Sequence, residues 1–284
     1  MRKIFAVTLV LMFFSPGCIE SDDDTTIEEP ISEDIIEEFD ELVDNSTAVV
    51  EQVLHEPELI SVPQEEGCDN INPLHCMFPF PSSAFLTLDS STVTGYRVNY
   101  TKTSLPNSGI SGNVEIPGIN RLDGMSPSTQ ILTSFEEDPV LAGIANQSSI
   151  GKSLELNHST VLINLETGEK MPHWVELDAR TDNRGPTILY IRTLKGLDHN
   201  TAYGVGISGL TNSTGSLINP SLAFQALIDG NYTDAADIES RSEEFENLFA
   251  SLGSLGYERH NLQAAWNFHT ASTESIIGGM LHMR

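Results

Sequence analysis

The 284-residue chain predicts a mainly β fold, an antiparallel sandwich with a C-terminal helical extension, set behind a disordered acidic linker. Three observations carry this. Five runs of five to seven residues with strand composition follow one another between residues 130 and 208, each joined to the next by turn-forming sequence. Beyond residue 236 the apolar spacing changes to that of an amphipathic helix. Residues 20–66 hold 18 Asp or Glu and no Lys or Arg, a composition that cannot bury enough apolar surface to offset chain entropy.

The N-terminus reads as an export signal over residues 1–17. Arg2 and Lys3 precede an apolar run of 11 residues, Ile4 to Phe14, and Ser15-Pro16-Gly17-Cys18 closes it with small residues. The run is too short to cross a hydrocarbon core as a helix. Here the sequence resembles prokaryotic lipoproteins, in which such a cysteine becomes the lipidated N-terminus, although Ser15 stands where an aliphatic residue is usual. The resemblance implies lipidation at Cys18 and a location on the outer face of the cell membrane, with the lipid membrane as partner. Residues 18–66 then form an extended tether, lengthened by self-repulsion.

Charge excludes nucleic acid as a partner. The chain carries a net −27, and no cluster of Lys or Arg is available to displace counterions from phosphates. With Cys18 set apart, Cys68 and Cys76 remain as a pair in an oxidising compartment, separated by turn-rich residues, and a local disulfide is expected. A metal site built from Cys68, His75 and Cys76 is the alternative. Six sequons, at Asn45, Asn99, Asn146, Asn157, Asn212 and Asn231, are candidate glycosylation sites in an exported chain.

Residues 67–156 read as a loop-rich β region containing the disulfide, with short extended pieces at Gly95 to Tyr100 and Gly112 to Ile116. The strand series is Gln130–Phe135, Thr160–Leu165, His173–Ala179, Thr187–Thr193 and Ala202–Ser208. In the last, Tyr203, Val205 and Ile207 line one face and Ala202, Gly204 and Gly206 the other. Leu197-Asp198-His199-Asn200-Thr201-Ala202-Tyr203 resembles the tyrosine corner of fibronectin-type and bacterial Ig-like domains. That resemblance implies an Ig-like module over residues 157–230 and a packing role for Tyr203. Residues 231–284 read as the helical extension. Asp237–Leu252 forms a helix, Leu262–Ala271 a strand, and Thr273–Arg284 a second helix capped by Ser272. That last helix is apolar where the sequence stops, which predicts continuation into a further segment.

Four stretches carry a second resemblance: Cys76 to Ser82, Asn120 to Pro127, Ala265 to Ser272, and Met280 to Arg284. They are similar to a set in the lipase-like family of large exported bacterial proteins, with Asn267 and His269 replacing that family's usual Asp and Thr. The likeness implies a non-catalytic front region ahead of a hydrolase domain in the same gene. It leaves two alternatives, a stand-alone module binding glycan or envelope material through loops around Phe78 to Phe85, and a fragment of an active esterase.

No Gly-x-Ser-x-Gly elbow, phosphate loop, dinucleotide fingerprint or His-Glu-x-x-His helix occurs, so no catalytic residue and no cofactor are assigned. The closest approximations, Gly206 to Gly209 and Gly109 to Gly112, read as strand ends or turns. Asp123 has two readings, an ion pair with Arg121 that fixes a loop, or a cation ligand beside Glu136, Glu137 and Asp138. His260, His269 and His282 are expected to pack rather than bind metal.

Overall fold

The computed structural model describes residues 56–105, 116–179 and 185–284. Cys18, Asn45, the segment expected to be an export signal and the acidic run up to His55 lie outside them, as does Gly109 to Gly112. Pro57 to Arg284 form one compact unit. It is mainly β, with ten strands among the described residues: β1 Leu59–Ile60, β2 Leu86–Leu88, β3 Tyr96–Val98, β4 Ile131–Ser134, β5 Thr160–Asn164, β6 His173–Leu177, β7 Ile188–Thr193, β8 Ala202–Ser208, β9 Tyr232–Thr233 and β10 Leu262–His269. The helices are α1 Ile116–Ile119, α2 Leu222–Asp229, α3 Ala236–Glu239, α4 Ser242–Gly253 and α5 Thr273–His282.

Two three-stranded antiparallel sheets organise the unit, one in the order β4–β7–β6 and the other β10–β8–β5. Their facing sides share one hydrophobic cluster. Ile131, Val175, Leu189 and Ile191 enter it from the first sheet, and Leu162, Tyr203, Val205, Ile207, Trp266 and Phe268 from the second. Val161, Ile163, Leu262 and Ala265 project from the other side of the second sheet into a second cluster. There they meet Phe224 and Leu227 of α2 and Phe245, Leu248 and Leu252 of α4. The β10–β8–β5 sheet is thus covered on both sides, and all five residues of β5 are buried.

The alternation read in β8 has a structural cause on each face. Its odd positions fill the inter-sheet core, while Gly204 and Gly206 admit α4. A Cβ at Gly204 would lie 2.6 Å from Leu248 Cδ1, and one at Gly206 would lie 3.1 Å from Leu252. At the corner preceding β8 the Asp198 N–H donates to the Tyr203 hydroxyl oxygen at 2.9 Å.

Four expectations are corrected. The tether was bounded at Glu66, but Pro57 onward is folded. β1 pairs in parallel with β9, Val62 is buried, and the Asp234 carboxylate accepts from Ser61 Oγ at 2.7 Å, the Val62 N–H at 2.9 Å and the Gln64 amide at 2.9 Å. Acidic composition does not register partners that lie more than 160 residues away along the chain. The divisions at 156 and 230 also dissolve. β4, from the region read as loop-rich, pairs with β7, and β10, from the region read as helical extension, pairs with β8 along seven register positions. Helix α2 interrupts the end of the region read as sandwich, capped by the Ser221 hydroxyl, which accepts from the Phe224 N–H at 3.1 Å. The helix expected over Asp237–Leu252 is two helices with Ser240 and Arg241 between them. Of the strand expected at Gly112 to Ile116, the described part is Ile116, which begins α1.

Candidate functional site

Three of the four motif stretches converge on β10. Trp266 is fully buried, and its indole N–H donates to the Pro81 carbonyl at 2.9 Å. The Ser83 hydroxyl donates to Asn267 Oδ1 at 2.9 Å, and the Asn267 amide donates to Glu244 Oε2 at 3.2 Å. From the other side, the Met125 N–H donates to the His269 carbonyl and the Ala271 N–H to the Met125 carbonyl, both at 2.8 Å. Gly124 makes this approach possible, since a Cβ there would stand 2.6 Å from Ala271 N. Asp123, next to it, accepts from the Ser272 N–H at 3.0 Å and the Ser272 hydroxyl at 2.6 Å.

That last contact resolves the two readings of Asp123. Its carboxylate holds Ser272, whose hydroxyl in turn accepts from the Ser275 N–H at 3.0 Å to cap α5. Asp123 therefore fixes a helix cap, and among the described residues it makes no ion pair with Arg121. Among the described residues no group of three or more His, Cys, Asp or Glu is placed to hold a metal ion. His269 packs against Tyr96 with ring centroids 5.1 Å apart, and burial pushes its pKa below the ordinary histidine value.

Cys68 and Cys76 are joined as a disulfide. The loop it closes carries the most buried ion pair among the described residues, which the sequence reading missed. Arg241, between α3 and α4, donates through Nη2 to Asp69 Oδ1 at 2.6 Å, and the Ser82 hydroxyl donates to Asp69 Oδ2 at 2.5 Å. Asp69 is fully enclosed. One carboxylate thus ties the disulfide loop, the turn that begins at Ser82 and the helical segment between β8 and β10. Nothing local distinguishes Asp69 from its many acidic neighbours, so no sequence signal pointed to it.

Among the described residues the closest pairing of a hydroxyl with an imidazole is Thr160 with His173, whose Nε2 and Thr160 Oγ1 are 2.8 Å apart. Both are fully buried. His173 Nδ1 donates to the Met171 carbonyl at 2.8 Å, which leaves Nε2 to accept the Thr160 proton. Desolvation pushes the His173 pKa down to about 4. Ser208, in the near-elbow Gly206 to Gly209, simply ends β8.

The described sequons differ in what their side chains already do. Asn99, Asn146 and Asn157 are exposed. Asn212 Oδ1 accepts three hydrogen bonds from Thr214 and Ser216, and its amide donates to Glu137. Asn231 Oδ1 accepts from the Glu58 N–H at 3.0 Å beside β1. Of these side chains only Asn212 engages the nitrogen that would carry a glycan, since Asn231 and Asn146 are held through Oδ1, the latter by the Ser148 N–H and the Ser149 hydroxyl. Phe78 and Phe85, placed by the sequence reading on exposed binding loops, are 4% and 2% exposed and belong to the interior.

A cavity of about 270 Å³ lies where the end of β4, the start of β10 and the first turn of α2 meet. Comparison with family models and with curated proteins finds no match to this chain.

Proposed function

We propose that the protein is an exported lipoprotein, anchored to the outer membrane face through Cys18, whose folded unit is an Ig-like non-catalytic scaffold supporting a lipase-like surface hydrolase. The observation that carries the reading is the strand order. In immunoglobulin-type domains, strands B, E and D of one sheet face C, F and G of the other, with a tyrosine near the start of F bonding to the preceding backbone. The order β4–β7–β6 opposite β5–β8–β10, with Tyr203 at the corner before β8, supports that assignment. The helical segment α2 to α4 is then an insertion between F and G. The disulfide supports an oxidising compartment. A scaffold role is supported by the motif stretches themselves, since Asp123 of one holds Ser272 of another.

Fractionation of the Cys18→Ser variant tests the anchor. The expected outcome is a shift from the membrane fraction to the medium, and a distribution unchanged from wild type overturns the lipoprotein reading. Hydrolysis of short-chain nitrophenyl esters by the purified protein would overturn the non-catalytic part.

A further inference from the structure

A hollow of about 410 Å³ lies between β6 and the loop 146–148, with Asn146, Gln147, Ser148, Trp174 and Glu176 among the residues that line it. Val175, Leu189 and Ile191 of the same sheet enter the inter-sheet core, so Trp174 and Glu176, with their cross-strand neighbours Arg192 and Tyr190, occupy the outer face by alternation. The volume admits more than one six-membered ring, since ~150 Å³ holds a benzene.

The walls are held from both sides. The Val175 N–H donates to the Ala145 carbonyl at 2.9 Å, which ties the loop to β6. Asn146 Oδ1 accepts from the Ser148 N–H at 2.9 Å and the Ser149 hydroxyl at 3.1 Å, closing the turn. On the strand side the Trp174 indole N–H donates to Glu176 Oε1 at 2.6 Å, and Arg192 Nε donates to Glu176 Oε2 at 3.0 Å. The Arg192 guanidinium in turn lies over the Tyr190 ring, 4.9 Å from its centroid. These bonds orient the half-buried indole before any ligand arrives, and such preorganisation lowers the cost of binding.

What the walls leave free selects the ligand. Glu176 is the single ionisable residue lining the hollow, and its charge is matched by Arg192, so an ion entering there would find no counter-charge. Gln147 Oε1, the Ser148 hydroxyl and Asn146 Nδ2 have no hydrogen-bond partner among the described residues, so the hollow offers acceptors and donors side by side. A purely apolar ligand would leave them unbonded. Neighbouring hydroxyls both donate and accept, and the carbon-bound hydrogens of a sugar ring suit the negative face of an indole. We propose that the hollow binds a pyranose ring of an uncharged saccharide against Trp174, with its hydroxyls bonded to Gln147 and Ser148. Two sources supply that chemistry, a separate glycan and one carried on Asn146, whose sequon forms the loop wall. This goes beyond the scaffold reading, which requires no ligand, and the two fail independently.

Intrinsic fluorescence and saturation-transfer NMR of the full chain with cellobiose, diacetylchitobiose and mannobiose test it, with benzyl alcohol as the aromatic control. At least one disaccharide is expected to bind saturably and to shift the emission of Trp174, the chain's other tryptophan, Trp266, being fully buried. Trp174→Ala should weaken that binding by about tenfold or more, Trp174→Phe should restore most of it, and Gln147→Ala should weaken it several-fold with the thermal midpoint unchanged. Intact mass of the chain from its native cells, with and without Asn146→Gln, assigns the source. A sugar adduct lost in Asn146→Gln together with a shift in Trp174 emission identifies the linked glycan, whereas disaccharide binding by a chain without the adduct identifies a separate one. The proposal is overturned by a chain that neither binds a disaccharide nor carries sugar on Asn146, by an adduct whose loss leaves Trp174 emission unchanged while no disaccharide binds, by benzyl alcohol matching the best disaccharide, or by a folded Trp174→Ala variant with wild-type affinity.

Discussion

His173 shows how completely a single side chain can be committed to the interior. Both ring nitrogens are spoken for, by Met171 and Thr160, and burial holds the imidazole neutral with a pKa near 4. In the unfolded chain the same ring takes a proton near its ordinary value of 6.5. Because the folded value is the lower one, the unfolded state binds more protons between pH 6.5 and 4, and this contribution to stability is complete above that window and lost as pH falls through it. Urea unfolding should therefore show roughly 2 kcal/mol less stability from this group at pH 5 than at pH 7.5. His173→Gln should flatten that part of the profile, and a variant with the wild-type slope would remove His173 as its source. The sequence marked His173 only as the first residue of a strand, because neither of its partners stands on a pattern that a linear reading can pair.

Helices and strands divide between what is local and what is not. The run Ala202–Ser208 was legible in full, since alternation and the turn before it are properties of contiguous residues. The purpose of its glycines was not, because α4 arrives from more than 30 residues further on. Gly204→Val should destabilise by about 1–3 kcal/mol through collision with Leu248, and Leu248→Ala placed in the same chain should recover part of the loss. Thermal denaturation of the single and double variants measures both, and additive losses would show that α4 does not rest on this glycine face. The two-helix break at Ser240–Arg241 escaped the sequence for a related reason. The apolar stripe of Asp237–Leu252 continues through it, whereas the Arg241 position is dictated by its partner Asp69.

That pair acts on the whole molecule. Asp69 sits in the disulfide loop, Ser82 leads into the first helical turn of the described chain, and Arg241 lies in the segment between β8 and β10, so one buried carboxylate joins parts 172 residues apart. Removing Arg241 leaves Asp69 charged and enclosed without its counter-ion. Arg241→Met should cost about 3–5 kcal/mol, whereas Arg241→Met with Asp69→Asn should cost clearly less, because the uncompensated charge goes with it. Chemical denaturation of the three proteins reads this directly, and equal losses in the single and double variants would assign the effect to packing of the arginine stem instead. The same long-range logic joins Asn120–Pro127 to Ala265–Ser272 through Asp123 and Gly124. The aspartate, glycine and serine at those positions each serve that connection, the first two by holding and admitting the segment and the serine by receiving the carboxylate.

By itself the sequence determined the strand series from residue 130 to 208, the corner at Tyr203, the cysteine pairing, the Ser272 cap and the acidic character of the N-terminal segment. Each depends on neighbours within about ten residues, where periodicity, turn chemistry and capping act. Tertiary structure decided which strands share a sheet, that β1, β4 and β10 belong to one unit with the rest, what Asp123 holds, and where a cavity opens beside Ser134. Those outcomes depend on burial and hydrogen bonding between residues up to 185 positions apart, and such partners are selected by the closed shape of the core rather than by any pattern along the chain.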